Sequence, residues 1–325
     1  MGGAITVADA DIEHPVGPED HPPAIGAQGA FPGIGNKDFS HVVQAALLKS
    51  GAVCVAYETV TSTGGRLPLL APMSEVAGRM AVQAGSVYLE KSHGGMGVLL
   101  DGMPGVPSGH VVVLGAGVAG TQALKMAVML GARVTVLDKN VNRLRQLDLV
   151  FGKRISSRFA SKQNIENAVL DAELVIGSVL VPGASAPKLV SADLVSRMKN
   201  GAVVVDVAID QGGCFETSRP TTHDQPTYEV GGVVHYCVPN MPGTVARTST
   251  FALNSATLPH AVALADKGWQ QALKEDRHLR NGLNLAQGHV TYPAVAQALG
   301  SSGRVAQGPK ECFHIIRKIM GAMTV

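Results

Sequence analysis

Aromatic residues are scarce in this chain, 4% of 325, and charged residues reach only 16% where about 25% is usual. The 27 basic and 25 acidic side chains leave a formal charge of +2. That balance gives no electrostatic case for nucleic acid or for an anionic membrane. Only four cysteines occur, Cys54, Cys214, Cys237 and Cys312, and none forms a CxxC or Cys/His zinc spacing. A disulfide scaffold is excluded, and the scattered thiols fit a reducing, cytoplasmic setting. Long apolar runs are also missing. The best of them, Val111 to Ala127, is broken by three glycines and carries Lys125, so it does not read as a membrane span. The first residues lack a basic stretch followed by an apolar one, and no secretory signal is visible. Met1 to Thr6 fits the short myristoylation pattern, but no basic patch backs it and a single acyl chain anchors weakly.

Glycine is what the chain has in excess, 38 residues, about 12% against a usual ~7%. Such a composition points to a compact α/β enzyme with tight strand-to-helix turns, and the length suits two domains. Residues 1–38 hold seven Gly and five Pro without sustained apolar periodicity, which predicts a loose arm. From Phe39 the pattern changes. Val42, Val43, Ala46 and Leu47 recur at helical spacing, and Gly51 stands where a C-terminal cap belongs. Val53 to Tyr57 reads as a short buried strand. Residues 74–90 predict a helix with Ser74 as its N-cap and Val76, Met80, Ala84 and Val87 on one face.

The most informative stretch is 111–138, VVVLGAGVAGTQALKMAVMLGARVTVLD. It reads strand, glycine turn, helix, Gly131 stop, strand. Two further apolar runs, Glu173 to Val181 and Ala202 to Ile209, each lie near a helical pattern, Asn164 to Ala172 and Ala192 to Met198. Alternation of this kind describes a doubly wound parallel sheet. Thr250 to Gly268 predicts a long helix interrupted at Pro259. The tail after Gly300 ends in an amphipathic piece around Ile316, Ile319, Met320 and Met323.

Gly115-Ala116-Gly117-Val118-Ala119-Gly120 follows an apolar strand and opens a helix, the context in which GxGxxG signals a dinucleotide site. Gly115 permits the sharp turn, Gly117 admits a pyrophosphate to the backbone, and Gly120 lets helix and strand pack closely. The phosphates then meet the positive end of the helix. Asp138 ends the next strand, 18 residues after Gly120. There a carboxylate accepts from a ribose and repels a 2′-phosphate, favouring NAD over NADP. Capping of the following turn is its plainer role, and Lys139 and Arg143 soften the discrimination. Asp206, flanked by valines, reads as a structural acid; Asp210, just before two glycines, reads as the acid in the cleft. Val238 to Pro242 offers a loop at the nicotinamide end.

LPLLAPMSEVAGRMA (67–81), the GAGVAG unit, LRQLD (144–148), VLVPGASAPKLV (179–190), VVDVAIDQGGCFETSRPTTHDQPTY (204–228) and NMPGTVARTSTFAL (240–253) together resemble alanine dehydrogenase. The resemblance runs from about Leu48 to Gly300. It implies a Rossmann-type α/β fold with a second, truncated and discontinuous substrate domain: a cofactor domain over 74–245, substrate-domain pieces at 39–73 and 246–300, and a tail at 301–325. It implies an NAD-dependent enzyme that reversibly converts L-alanine to pyruvate and ammonium, assembled as a homohexamer. By the same resemblance Asp210 is catalytic and Ser74 contacts the cofactor phosphates. Asp138 holds the ribose, and Arg143, Val179, Leu180, Ile209, Val238, Asn240 and Met241 line the rest of the NAD site. The family's serine near the adenine side falls on Ala160, which removes one hydrogen bond.

One segment departs from the family. Its Arg and Lys that hold the substrate, and its catalytic His, have no match in residues 1–38; the register for the His falls on Asn36, and His41 lies five residues beyond. His14 and His21 read as solvated. Two further readings therefore stand beside the enzyme: a catalytically silent NAD-binding subunit or interaction protein, and the soluble NAD domain of a transhydrogenase. The DQGGCFETSRPTTHDQPTY stretch argues against the second. With the first segment missing, the apolar faces of 53–57 and 76–87 are expected to need a partner chain.

Overall fold

The structure, a computed structural model, describes residues 4–7, 46–179, 186–293 and 295. Its strands in chain order are β1 Ala4–Val7, β2 Val53–Ala56, β3 His110–Leu114, β4 Arg133–Asp138, β5 Ile155–Phe159 and β6 Leu174–Gly177. They continue with β7 Val203–Asp206, β8 Thr227–Val230, β9 Val233–Tyr236, β10 Leu283–Ala286 and β11 His289–Val290. The helices are α1 Ala71–Tyr88, α2 Val118–Met129, α3 Val141–Phe151, α4 Lys162–Asp171, α5 Ala192–Ser196, α6 Ala246–Glu275 and α7 Arg277–Arg280. Contacts divide the chain into two units, residues 1–72 with 250–325, and residues 73–249.

The unit of residues 73–249 is α/β. Its seven-stranded sheet has the order β5-β4-β3-β6-β7-β9-β8, parallel except for β8, which pairs antiparallel with β9. Strands β3, β6 and β7 are buried along their whole length, as expected of strands covered on both faces. One face packs Val112, Leu114, Val175 and Val204 against Ile165 and Val169 of α4 and Leu194 and Val195 of α5. The order of connection reverses between β3 and β6, and ligand crevices open at the carboxyl ends of strands at such a point.

The other unit carries the four-stranded sheet β1-β2-β10-β11, all antiparallel. The β10–β11 hairpin turns through Gln287 (φ 50°) and Gly288 (φ 75°), the left-handed pair a two-residue turn demands. Val53, Val55 and Tyr57 join Leu264, Trp269, Leu273, Leu279 and Leu283 in its core.

Four expectations are corrected here. Residues Ala4–Val7 of the supposed loose arm form an edge strand whose backbone pairs Ala4 with Ala56 and Val7 with Val53. Helix α1 begins at Ala71, not at a Ser74 cap; Pro72 sits in the first turn, where its missing N–H costs nothing. Helix α6 runs through Pro259 and is broken instead at Gly268 (φ 73°, ψ 153°). Finally, Val53, Val55, Val76, Met80 and Ala84 are buried within the chain itself, so those faces need no partner; Val87, 40% exposed, is off that face. Residues 46–50 are helical and end at Gly51 (φ 73°). Val42, Val43 and the amphipathic piece from Ile316 to Met323 lie outside the described residues.

Candidate functional site

The glycine turn grows out of β3. Gly115 adopts φ 98°, and its N–H donates to the Leu137 carbonyl at 2.8 Å. A Cβ on Gly115 would stand 2.9 Å from the Val179 side chain, and one on Gly120 would stand 1.9 Å from the Gly115 carbonyl oxygen. Both positions therefore need glycine, the first for conformation and the second for close approach. Gly117 differs: no atom lies within 4 Å of where its Cβ would be. It caps α2 without a side chain to receive the first-turn amides, whereas Asn140, Ser161 and Ser191 do so at the starts of α3, α4 and α5. Gly117 and Val118 are exposed and Ala119 is half-buried. The amides at the mouth of α2 are thus left for an anion, with the positive end of the helix behind them.

Asp138 ends β4 beside this turn. Its carboxylate accepts from the Ala116 N–H and from the Asn140 N–H, each at 2.7 Å, so the acid and the glycine loop are one built unit. Arg143 closes the unit from α3: Nε donates to the Ala116 carbonyl at 2.8 Å and a terminal nitrogen to Thr121 Oγ1 at 2.7 Å. Thr121 in turn donates to the Gly117 carbonyl at 2.6 Å. Ser178, buried at the end of β6, donates to the Leu114 and Gly115 carbonyls, both at 3.0 Å. Sequence reasoning missed Ser178 and Thr121. Ser178 follows an apolar strand at the switch point, and that position was the available signal. Ser74 lies one turn before Gly78 on the same face of α1, and a Cβ on Gly78 would stand 2.0 Å from the Ala119 carbonyl oxygen. Helix α1 therefore bears on the glycine loop, with Ser74 half-buried.

At the carboxyl end of β7 the chain folds around Asp206. This buried carboxylate accepts from the amides of Ala208 (3.2 Å), Cys214 (2.8 Å) and Phe215 (3.4 Å) and from Ser218 Oγ (2.5 Å). Desolvation pushes its pKa up, and those four donors pull against it. It is a structural acid. The wrapped loop carries Asp210 at its outer side, in the tight turn Ile209–Gln211 followed by Gly212 and Gly213 at φ 92° and 80°. Asp210 is exposed, yet crowding by surrounding protein desolvates its carboxyl and raises its pKa.

The remaining residues of the expected site fall unevenly. Asn240 caps the turn Met241–Val245, its side chain accepting from the Gly243 N–H at 3.2 Å. Val179 is half-buried. Ile209, Val238 and Met241 are buried, with 3%, 2% and 2% exposed, so they stand behind the surface and not on it. Ala160 packs on the apolar core of the sheet. Leu180, Asn36, His14, His21 and His41 lie outside the described residues. His223, on the loop before β8, places Nδ1 3.3 Å from Thr244 Oγ1 beside that same turn. Cys214 and Cys237 are no nucleophiles: burial pushes their thiols up to about 12 and about 11. Among the described residues no group of three or more His, Cys, Asp or Glu is placed to hold a metal ion.

The arrangement can bind a dinucleotide diphosphate at an uncapped helix start and a ribose at a carboxylate, with a second carboxylate in the turn that follows β7, two strands from β3. Comparison with known proteins agrees with that chemistry. Residues 81–293 match the family model "Alanine dehydrogenase/PNT, C-terminal domain". The chain is 62% identical over 254 residues to the alanine dehydrogenase of Halomonas elongata, covering 78% of this chain and 68% of that protein. A solved L-alanine dehydrogenase structure superposes with TM-score 0.77 at 53% identity, covering 79% of this chain and 71% of the other. A transhydrogenase from Sinorhizobium meliloti is more distant: TM-score 0.63, 25% identity, 76% of this chain and 70% of the other.

Proposed function

The chain belongs to the alanine dehydrogenase/PNT family, and from that premise we propose that it catalyses the NAD-dependent, reversible oxidative deamination of L-alanine to pyruvate and ammonium. The observation that carries the reading is the open, uncapped start of α2 tied directly to Asp138. When bound, NAD supplies the hydride acceptor for the α-carbon of alanine. The amides around Gly117, Val118 and Ala119 hold its diphosphate, with Ser74 beside them, and Asp138 holds the ribose hydroxyls. Arg143 fixes the loop that carries these groups. Val179 and Asn240 provide the remaining walls, with Ile209, Val238 and Met241 buried behind them. Asp210 stands at the reacting end as the group that holds and passes a proton when water adds to the imine and ammonia leaves. The unit of residues 73–249 is then the cofactor half, and the unit with β1, β2, β10 and β11 belongs to the substrate half.

The same reading makes the protein a cytoplasmic homo-oligomer, a hexamer by resemblance. Among the described residues the three cysteines are free and buried, which supports a reducing compartment. Among the described residues no helix is long and apolar enough to cross a membrane. A second reading, a catalytically silent NAD-binding subunit, is favoured by Asn36 standing where the resemblance calls for a histidine. The test is alanine-dependent reduction of NAD by the purified chain at about pH 9–10, where the proton released on oxidation is taken up, beside a titration with NADH. Turnover supports the enzyme. Tight NADH binding without turnover replaces it by the silent subunit, and loss of both sinks the two together.

A further inference from the structure

The loop after β7 is held by two side chains of opposite character. Asp206 takes the amides of Ala208, Cys214 and Phe215. Lys188, from the segment before α5, donates through Nζ to the carbonyl oxygens of Gly212 and Phe215, the latter at 2.9 Å. Phe215 is therefore gripped twice, its N–H by a carboxylate and its C=O by an ammonium. On either side of the lysine the two segments are tied by backbone bonds. Ala186 N–H donates to the Gln211 carbonyl at 2.8 Å, Leu189 N–H to the Cys214 carbonyl at 2.8 Å and Glu216 N–H to the Val190 carbonyl at 2.9 Å.

Lys188 acts where the main chain is softest. Gly212 and Gly213 stand in succession at φ 92° and 80°, and glycine loses the most backbone freedom on ordering. Gly213 is wedged on Asp206, whose Oδ2 lies 2.5 Å from where a Cβ would be, whereas no atom lies within 4 Å of a Cβ on Gly212. The ammonium supplies at Gly212 the hold that packing does not. The turn Ile209–Gln211, which carries Asp210, closes on Gly212, whose N–H donates to the Ile209 carbonyl at 3.0 Å. A shift of Gly212 is thus passed to Asp210, and a misplacement of about 1 Å at a reacting group costs on the order of 100-fold in rate.

We propose that Lys188 is a positioning residue for Asp210: it fixes the Gly212 end of the turn and so sets where the Asp210 carboxyl stands. It acts through the main chain and touches neither substrate nor cofactor. This deepens the function proposed above and rests on Asp210 being its proton-transferring group.

The test compares Lys188→Met, which keeps the stem and removes the donors, with Lys188→Arg, which keeps a donating cation, both in the full chain. Lys188→Met is expected to speed hydrogen exchange about tenfold in the peptide over residues 207–217, with β3 and β4 unchanged. It is expected to lower kcat for alanine oxidation by about 10- to 100-fold. The Kd for NADH should stay within about threefold, since diphosphate and ribose are held at the glycine loop and Asp138. Lys188→Arg should keep kcat within about fivefold, because its guanidinium can also donate to two carbonyls. In an Asp210→Asn background, Lys188→Met should lower kcat by less than about threefold further, because a residue that acts through Asp210 then has nothing to position. Unchanged exchange overturns the clamp. Faster exchange with unchanged kcat, or a full loss repeated in the Asp210→Asn background, overturns the positioning role and leaves a structural tie. A wild type that binds NADH without turnover overturns the enzyme and the positioning role together, while exchange still reports the clamp.

Discussion

Asp206 has no exposed surface, and three amides and a hydroxyl converge on its carboxylate. Replacing it with Asn puts an NH2 group among donors that need an acceptor. Since each unsatisfied buried donor costs about 1–3 kcal/mol, Asp206→Asn is expected to lose about 2–4 kcal/mol in chemical denaturation. Ser218→Ala, which removes one bond, should lose about 1 kcal/mol; equal losses would contradict a shared hub. Asp138 behaves differently because it touches both the loop and the expected ligand. Asp138→Ala is expected to weaken NADH binding by about 10- to 100-fold, the worth of one or two charge-assisted bonds, in a fluorescence titration. Both acids were legible in the sequence because each ends a run of valines or leucines, so its place at a strand's carboxyl end follows from local pattern. Ser178 and the tether from Arg143 to Ala116 were not. They join positions 63 and 27 residues apart, and only the closed sheet brings such groups together.

Elements were legible where a period or a glycine marked them, and illegible where the deciding contact was distant. The parallel strands β3, β4, β6 and β7 announce themselves by β-branched runs. The β8–β9 hairpin, turned by Gly231 and Gly232, and the polar strand β5 with pattern ISSRF do not stand out, because pairing with neighbours defines them more than composition does. Pro259 looked like the break in α6, but Gly268 is, with ψ 153° at positive φ, a combination almost confined to glycine. Nothing lies within 4 Å of a Cβ there, so Gly268→Ala tests backbone strain alone. A loss of about 1–3 kcal/mol in thermal or urea unfolding is expected, and no loss would mean that the helix re-forms through the kink. Gly78→Ala tests the reverse case, where the added atom meets the Ala119 backbone. It should cost about 1–3 kcal/mol and also raise the Kd for NADH, because Ala119 belongs to the glycine loop. A destabilised variant with unchanged NADH affinity would separate α1 from the site.

For the molecule as a whole, the response to acid is set by two buried histidines in the α/β unit. His235 lies within β9, its Nδ1 2.9 Å from the Val233 carbonyl and Nε2 2.8 Å from Thr217 Oγ1. His110 opens β3, with Nδ1 3.3 Å from the Asp171 carbonyl oxygen and Nε2 2.8 Å from Thr135 Oγ1. With the proton on Nδ1, each ring can donate to that carbonyl while Nε2 accepts from the hydroxyl, and His110 Nδ1 also stands 3.2 Å from Asp171 Oδ2, so the neutral form can be fully satisfied. Desolvation lowers both pKa values, for His110 with help from the Arg133 charge. The unfolded chain then takes up protons first, near pH 6.5. Stability is full above that value and falls as the pH drops through it towards the lowered native values. Two such groups give a limiting slope of about 2.7 kcal/mol per pH unit. Asp206 and Asp210 oppose them, since desolvation raises their native pKa values and the folded state gains by binding those protons. The histidines have the higher unfolded-state titration, near pH 6.5 against about 4 for the acids, so the window just below pH 6.5 is where their loss begins. Unfolding free energy from urea titrations is therefore expected to be lower at about pH 5.5 than at 7.5. His235→Gln, which keeps a donor and an acceptor but cannot titrate, should remove about half of that dependence. A stability that is flat or rises on acidification, with no change in slope for His235→Gln, would show that the acids govern the titration of the folded chain.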